Sequence, residues 1–250
     1  MNCIVIIPAR LGSSRLPGKV LLDICGKPMI QHVYEKAIQA KNIKDVYIAT
    51  DSLEVLEACK VFTSHVIMTS DKHESGTDRL AEAVEKVECD YIINVQGDEP
   101  LMDPELIEKL ASALKTGDVE MVSAMHKIET TAELKSPNAV KVTVDKKKHA
   151  LYFSRSIIPH HRDEWETLLN HHVTIPSPLV FFKHIGIYGY TKEFLSEYSK
   201  MEQTYLEKLE KLEQLRVLEN GHKIKMIETE YEPVGVDTQE DLQRVRDLIK

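Results

Sequence analysis

The chain opens with Ile4-Val5-Ile6-Ile7-Pro8-Ala9-Arg10-Leu11-Gly12-Ser13-Ser14-Arg15-Leu16-Pro17-Gly18-Lys19. Its short apolar run predicts a buried strand, which passes straight into a loop of glycine, two serines and three cations. Such a loop presents backbone N–H groups, hydroxyls and positive charge at the C-terminal edge of a strand. A polyphosphate needs that combination, because its oxygens must be met by donors as well as by charge. The loop is not of the Walker type: GxxxxGK[ST] is absent, and GxGxxG occurs nowhere in the chain. It predicts a nucleotide site of another kind.

Outward from this stretch, strands and helices alternate. Helices are expected over 28–40, from 53 through Cys59, over 78–87 and from Asp103 to about Leu114. Strands are expected over 46–49, 65–68 and 91–95. Strands of four or five apolar residues separated by helices imply a parallel sheet covered on both faces. Right-handed crossovers then bring the loops after Ile7, Ala49, Met68 and Val95 to one edge, where open α/β sheets bind ligands.

After about residue 118 the pattern changes. Strands are expected over 121–126, 140–144, 151–154, 184–190 and 224–227. A loop or lid is expected over 159–183, a long amphipathic helix over 202–219 with Leu206, Leu209, Leu212, Leu215 and Leu218 in one stripe, and a closing helix over 239–249. The expectation is one continuous domain. Residues 1–118 form its nucleotide-binding half, and 119–250 carry an inserted section that forms a dimer surface.

At 250 residues the chain can bury a substantial core, and a net charge of −8 argues against nucleic acid or an anionic membrane as partner. Cys3, Cys25, Cys59 and Cys89 lack paired spacing and read as buried, reduced thiols. No signal peptide and no apolar run of the ~18 residues of a membrane span is visible, so a cytoplasmic location is expected.

Several positions carry chemistry. Asn94-Val95-Gln96-Gly97-Asp98-Glu99-Pro100 follows a buried strand, which places Gln96 and Asp98 at the ligand edge. Acids beside a phosphate-binding loop suggest Mg²⁺, held by one or two carboxylates plus substrate phosphates. Val234-Gly235-Val236-Asp237-Thr238 is a second apolar run ending in Asp. Either aspartate could instead be a helix N-cap, and Thr238 could cap the last helix as well as Asp237. In His73-Glu74-Ser75-Gly76-Thr77-Asp78-Arg79, small polar residues can approach a planar base and Arg79 offers a fork of donors. The same run also reads as a helix start capped by Thr77. A lone arginine such as Arg155 is more often an ion-pair partner than a ligand. His160, His161, His171 and His172 lack ligand spacing and read as loop residues.

Together these segments resemble the 3-deoxy-manno-octulosonate cytidylyltransferase (CMP-Kdo synthetase) family over nearly the whole chain. The resemblance rests on IPARLGSSRLPGK (7–19), GKPMIQHV (26–33), ATD (49–51), ESGTDRLAE (74–82), NVQGDEP (94–100), PNAVKV (137–142), ALYFSRSIIP (150–159), HIGIYGY (184–190), LEKLEQLRVLENG (209–221) and VDTQEDL (236–242), in that order. Gln239 stands where the family pattern has Pro, and 164–183 is longer and richer in His than that pattern.

The resemblance implies a Rossmann-like nucleotidyltransferase fold: a mixed, mostly parallel central sheet flanked by helices, with an inserted dimerisation and substrate subdomain. It implies Mg²⁺-dependent transfer of CMP from CTP to the anomeric hydroxyl of 3-deoxy-D-manno-octulosonate (Kdo), releasing pyrophosphate and activating the sugar for lipopolysaccharide core synthesis. By resemblance, Arg10, Ser13, Ser14, Arg15 and Lys19 hold the triphosphate, with Ala9 beside them, and Ser75, Gly76 and Arg79 lie near cytosine. Asp98 and Asp237 hold the metal. Gln96, Arg155, His184, Tyr188, Glu213 and Gln214 surround the sugar acid, where Arg155 suits the carboxylate. No side chain stands out as base for the anomeric hydroxyl, so a second metal ion is expected to lower its pKa. The alternatives are an 8-amino-Kdo or other acidic-sugar cytidylyltransferase, or a non-catalytic nucleotide-sugar-binding homologue.

Overall fold

Strand β1, Cys3–Pro8, is buried along nearly its whole length, which is why its apolar run is continuous rather than alternating. The computed structural model to which it belongs describes residues 2–12, 16–73 and 75–250. These divide into two compact units. One takes the chain up to Gly117 together with Ile187–Ser199 and Glu232–Lys250; the other takes Asp118–Gly186 and Lys200–Tyr231.

In the first unit, Gly18 adopts a left-handed conformation (φ 66°) and starts the 3-10 turn Lys19–Leu21. A small hairpin follows, β2 (Asp23–Ile24) and β3 (Lys27–Pro28), whose central Cys25 and Gly26 both have positive φ, 51° and 86°. Then come helix α1 (Met29–Ala37), β4 (Asp45–Thr50), α2 (Leu53–Cys59), β5 (Val66–Met68), α3 (Gly76–Glu85), β6 (Tyr91–Asn94) and α4 (Pro104–Lys115). Strand β1 lies between β6 and β4, with β5 outside β4, and all four are parallel. Their C-terminal ends therefore share one edge.

The helices bury the face their spacing predicts. Leu106, Ile107, Leu110 and Leu114 of α4, like Ile30, Val33 and Ala37 of α1, are sealed from solvent. Ser52, Ser75 and Asp103 cap α2, α3 and α4 by accepting from backbone N–H groups. The cap of α3 is Ser75 rather than Thr77, so that helix begins earlier than expected.

The second unit contains β7 (Met121–Lys127), α5 (Thr131–Lys135), β8 (Lys141–Val144), β9 (Ala150–Ser154) and α6 (Trp165–His171). Strand β10 (Phe182–Thr191) starts there and ends in the first unit, where Tyr188–Thr191 pair antiparallel with β6, ahead of α7 (Lys192–Tyr198). The second unit continues with α8 (Tyr205–Glu210), α9 (Gln214–Glu219) and β11 (Ile224–Glu228), and α10 (Gln239–Ile249) returns to the first. Within the second unit β8 is antiparallel to β9 and to the start of β10, and β11 is parallel to β7.

Several details differ from the sequence reading. The division is not one of halves at 118, because 187–199 and 232–250 belong to the first unit. The expected long helix over 202–219 is two short ones, broken at Lys211 (φ 55°). Leucines at every third position advance about 300° per step on a 3.6-residue helix, so such a stripe slips off one face. Leu215 is accordingly sealed while Leu209 is 65% exposed. The supposed loop 159–183 contains α6, whose Leu168 joins Ile128, Leu134 and Phe181 in a small apolar cluster. Cys3 and Cys59 are buried, but Cys25 is exposed on its hairpin turn and Cys89 is half-buried. Among the described residues no helix is long and apolar enough to cross a membrane.

Candidate active site

Three segments of the first unit meet beyond the ends of its parallel strands. The turn that starts at Gly18 delivers Lys19, whose ammonium donates to Asp98 Oδ2 at 2.5 Å and to Asp237 Oδ1 at 2.9 Å. It also donates to the Val236 carbonyl at 3.2 Å. The Val236 N–H in turn donates to the Asp98 carbonyl at 2.9 Å, tying the 234–237 segment to the loop after β6. Burial alone would lower the Lys19 pKa. The charge of Asp98 and the hydrogen bonds that the ammonium donates to both carboxylates outweigh it and hold the ammonium above its ordinary value.

The loop after β6 reaches this position because residue 97 is glycine. A Cβ there would sit 2.7 Å from the Pro8 carbonyl oxygen, closer than any side chain tolerates. Neither aspartate serves as a helix cap. Thr238 caps α10 in a reciprocal capping box with Asp241, and Asp103 caps α4. Glu99, the second acid of its run, points inward. Burial first, then the neighbouring Asp98 charge, push its carboxyl up to about 8, so it is mostly neutral at pH 7. Its Oε2 has no hydrogen-bond partner among the described residues.

These residues border a cavity of about 260 Å³. Ala9, Arg10 and Lys19 line it from the loop after β1, and Gln96, Gly97 and Asp98 from the loop after β6. Ser75, Gly76 and Arg79 line it from the start of α3, and Asp237 from the C-terminal segment. Arg79 is 3% exposed and donates to Thr69 Oγ1 at 2.5 Å and Asp51 Oδ2 at 2.6 Å, so part of its fork is already engaged. Ser13, Ser14 and Arg15 lie outside the described residues. The wall also includes His73, which sequence reasoning did not single out. Its Nε2 is 2.6 Å from Glu82 Oε2, and the same carboxylate accepts from the Ser70 N–H, which fixes the loop after β5. A lone histidine beside small polar residues has no spacing that would have marked it.

Two carboxylates that meet one ammonium offer their oxygens to any cation that takes its place. Among the described residues no group of three His, Cys, Asp or Glu side chains is placed to hold a metal ion. A cation at Asp98 and Asp237 would therefore complete its shell from phosphate oxygens and water, as Mg²⁺ usually does. The donor set fits that ion.

In the second unit, His184 and Gln214 are brought together. Gln214 Nε2 lies 3.4 Å from His184 Nδ1, and His184 Nε2 lies 2.9 Å from Ser123 Oγ. Desolvation pushes the imidazole down to about 3, so it is neutral at pH 7. With the Gln214 amide donating to Nδ1, the proton sits on Nε2 and is donated to Ser123, whose hydroxyl donates to the Ile185 carbonyl at 3.3 Å. Arg155 follows β9 and is gripped by Glu210 and Pro137. Glu213 is exposed just before α9. Tyr188, on the part of β10 that belongs to the first unit, stacks on Tyr190. Ser123, Glu210 and Lys141 are further partners in the second unit that the sequence reading missed. A lysine between Val140 and Val142 looks solvent-facing, yet Lys141 is fully buried.

The chain is similar to known proteins over its whole length. A family model for cytidylyltransferases matches residues 4–224. The 3-deoxy-manno-octulosonate cytidylyltransferase of Geobacter sulfurreducens is 47% identical over the full length of both chains. That of Haemophilus influenzae strain PittEE is 50% identical over 98% of each. Among solved structures, CMP:2-keto-3-deoxy-manno-octonic acid synthetase complexed with CTP superposes with a TM-score of 0.91 at 43% identity, covering 100% of this chain and 98% of that one. A glucose-1-phosphate thymidylyltransferase from Bacillus anthracis, 18% identical with a TM-score of 0.66 over 98% and 94% of the two chains, shares the fold. By its sequence and by its fold, the chain belongs to the 3-deoxy-manno-octulosonate cytidylyltransferase family.

Proposed function

We propose that the protein transfers CMP from CTP to the anomeric hydroxyl of Kdo. The new bond joins the anomeric oxygen to the α-phosphorus, the bond from that phosphorus to the α–β bridging oxygen breaks, and pyrophosphate leaves with it. The hydroxyl proton passes to solvent. The observation that carries this reading is the Lys19–Asp98–Asp237 arrangement at the mouth of the strand-edge cavity.

Lys19 and Arg10 meet the triphosphate, and they act by positioning and by charge, which is where most catalysis of phosphoryl and nucleotidyl transfer lies. Mg²⁺ held by Asp98 and Asp237 supplies charge neutralisation of the phosphates when bound. Ser75, Gly76 and Arg79 accommodate the cytosine. In the second unit, Arg155, His184, Glu213 and Gln214 take the acid. Because His184 is neutral, it does not pair with the carboxylate, which falls to Arg155.

In the cell the product serves lipopolysaccharide core synthesis, and the protein works in the cytoplasm as a homodimer. Leu151, Val173, Val180 and Leu209, all exposed on the second unit, supply apolar surface for a partner copy.

The test is to incubate the protein with CTP, Mg²⁺ and a panel of sugar acids while following pyrophosphate. Release with Kdo, and with its 8-amino analogue to a lesser degree, supports the reading. Release only with sialic acids, or with none of the acids, refutes it.

A further inference from the structure

Arg155 is held by every polar group of its backbone and by part of its guanidinium. Its N–H donates to Glu210 Oε2 at 3.0 Å, and its carbonyl accepts from Lys141 Nζ at 2.7 Å. Its Nε donates to the Glu210 carbonyl at 2.9 Å and its Nη1 to the Pro137 carbonyl at 3.1 Å. Both guanidinium acceptors are neutral carbonyls. No carboxylate meets the guanidinium among the described residues, and its Nη2 makes no hydrogen bond among them. The outer edge of the fork is thus aimed and unspent, the form in which arginine receives a carboxylate two-pronged.

The groups that aim it are themselves fixed. Lys141 is fully buried, and its ammonium donates to three carbonyls, those of Ser136 (2.8 Å), Ala139 (2.6 Å) and Arg155. Three acceptors need three protons, so the group is charged in spite of its burial. A buried cation is expensive unless fully satisfied, and here it pins the 136–139 loop, which carries the Pro137 acceptor, to the Arg155 backbone. Glu210 holds the other side, with Oε1 accepting from Ser154 Oγ at 2.6 Å. Neither cation hydrogen-bonds that carboxylate, which grips the Arg155 backbone N–H and the Ser154 hydroxyl instead.

We propose that Glu210 and Lys141 are positioning residues that hold the Arg155 guanidinium ready for the carboxylate of the acceptor sugar. The proposal rests on the reading above that Arg155 meets that carboxylate. It deepens that reading by making recognition of a carboxylate a property of the whole cluster.

The test is steady-state kinetics on Glu210→Ala, Glu210→Gln, Lys141→Met, Arg155→Ala and the Glu210→Ala/Arg155→Ala double variant, with the KM values for Kdo and CTP determined separately. Glu210→Ala is expected to raise the KM for Kdo about tenfold, the scale of losing one charge-assisted hydrogen bond, with the KM for CTP within about twofold. Glu210→Gln, which keeps an acceptor oxygen, should recover part of that loss. The double variant should be no worse than Arg155→Ala, because Glu210 acts through Arg155. Thermal melting identifies any variant that fails to fold, and the Glu210 pair decides the matter if Lys141→Met does. An unchanged KM for Kdo in Glu210→Ala beside a raised one in Arg155→Ala overturns the positioning role, and so does an additive double variant. An unchanged KM for Kdo in Arg155→Ala overturns the reading beneath it.

Discussion

Asp98 and Asp237 stand far apart in sequence yet share a single ammonium, that of Lys19, at 2.5 and 2.9 Å. The lysine keeps two like charges together where a divalent cation and a triphosphate would otherwise be needed to do so. Converting either aspartate to Asn preserves its shape and removes its charge. Pyrophosphate release at saturating Mg²⁺ is expected to fall at least ~100-fold in Asp98→Asn and in Asp237→Asn, the scale of losing a key electrostatic group. Near-normal turnover in either variant, with unchanged melting, removes that residue from the metal site.

Two cavity glycines should behave differently. At Gly97 a Cβ meets the Pro8 carbonyl at 2.7 Å, and backbone cannot swing aside; at Gly76 the nearest atom is the Pro8 ring at 4.0 Å. Gly97→Ala should cost about 1–3 kcal/mol in urea unfolding. Gly76→Ala should stay within about 0.5 kcal/mol of the parent.

The α8–α9 hairpin carries Glu210 and Gln214, and a buried ion pair closes it. Arg216 Nη2 lies 2.5 Å from Glu207 Oε1, Nε lies 2.8 Å from Oε2, and Nη1 donates to the Met201 carbonyl. Glu207→Ala leaves a buried guanidinium without its partner and should cost about 3–5 kcal/mol. Replacing the pair together by Leu and Met should cost far less. Denaturant unfolding of the single and double variants distinguishes these outcomes.

His184 makes stability depend on pH. Its folded pKa, about 3, lies below that of an unfolded histidine, near 6.5, so between those values the unfolded chain binds the extra proton. Its contribution is therefore intact above about pH 6.5 and is lost as pH falls towards 3, by up to about 1.4 kcal/mol per unit. His184→Gln should flatten that part of the curve. Unfolding free energies at pH 7.5 and pH 5, compared between parent and variant, measure the difference.

Much of this architecture is readable in the residues, and where it is not the reasons are physical. Ile4–Ile7 announces a doubly covered parallel strand, and the alternation that follows dictates which loops share its edge. Asp237 and Thr238 are equivalent as caps on paper; only the reciprocal bond between Thr238 and Asp241 shows which one caps and which one turns to Lys19. Asp98 and Glu99 also look alike in sequence, but burial neutralises Glu99, while Asp98 lines the cavity. Lys141 was hidden because strand alternation points it outward, whereas three loop carbonyls draw it in. Leucine spacing misled at 202–219 because a three-residue repeat is not a helical one.

The central claim is that the α-phosphorus of CTP ends on the sugar acid. The ³¹P spectrum of CTP, Kdo and Mg²⁺ incubated with the protein tests it most directly. The account predicts loss of the three CTP resonances with equal gain of one phosphodiester resonance and of pyrophosphate, dependent on Kdo. Unchanged CTP, or free CMP and pyrophosphate formed without Kdo, would contradict it.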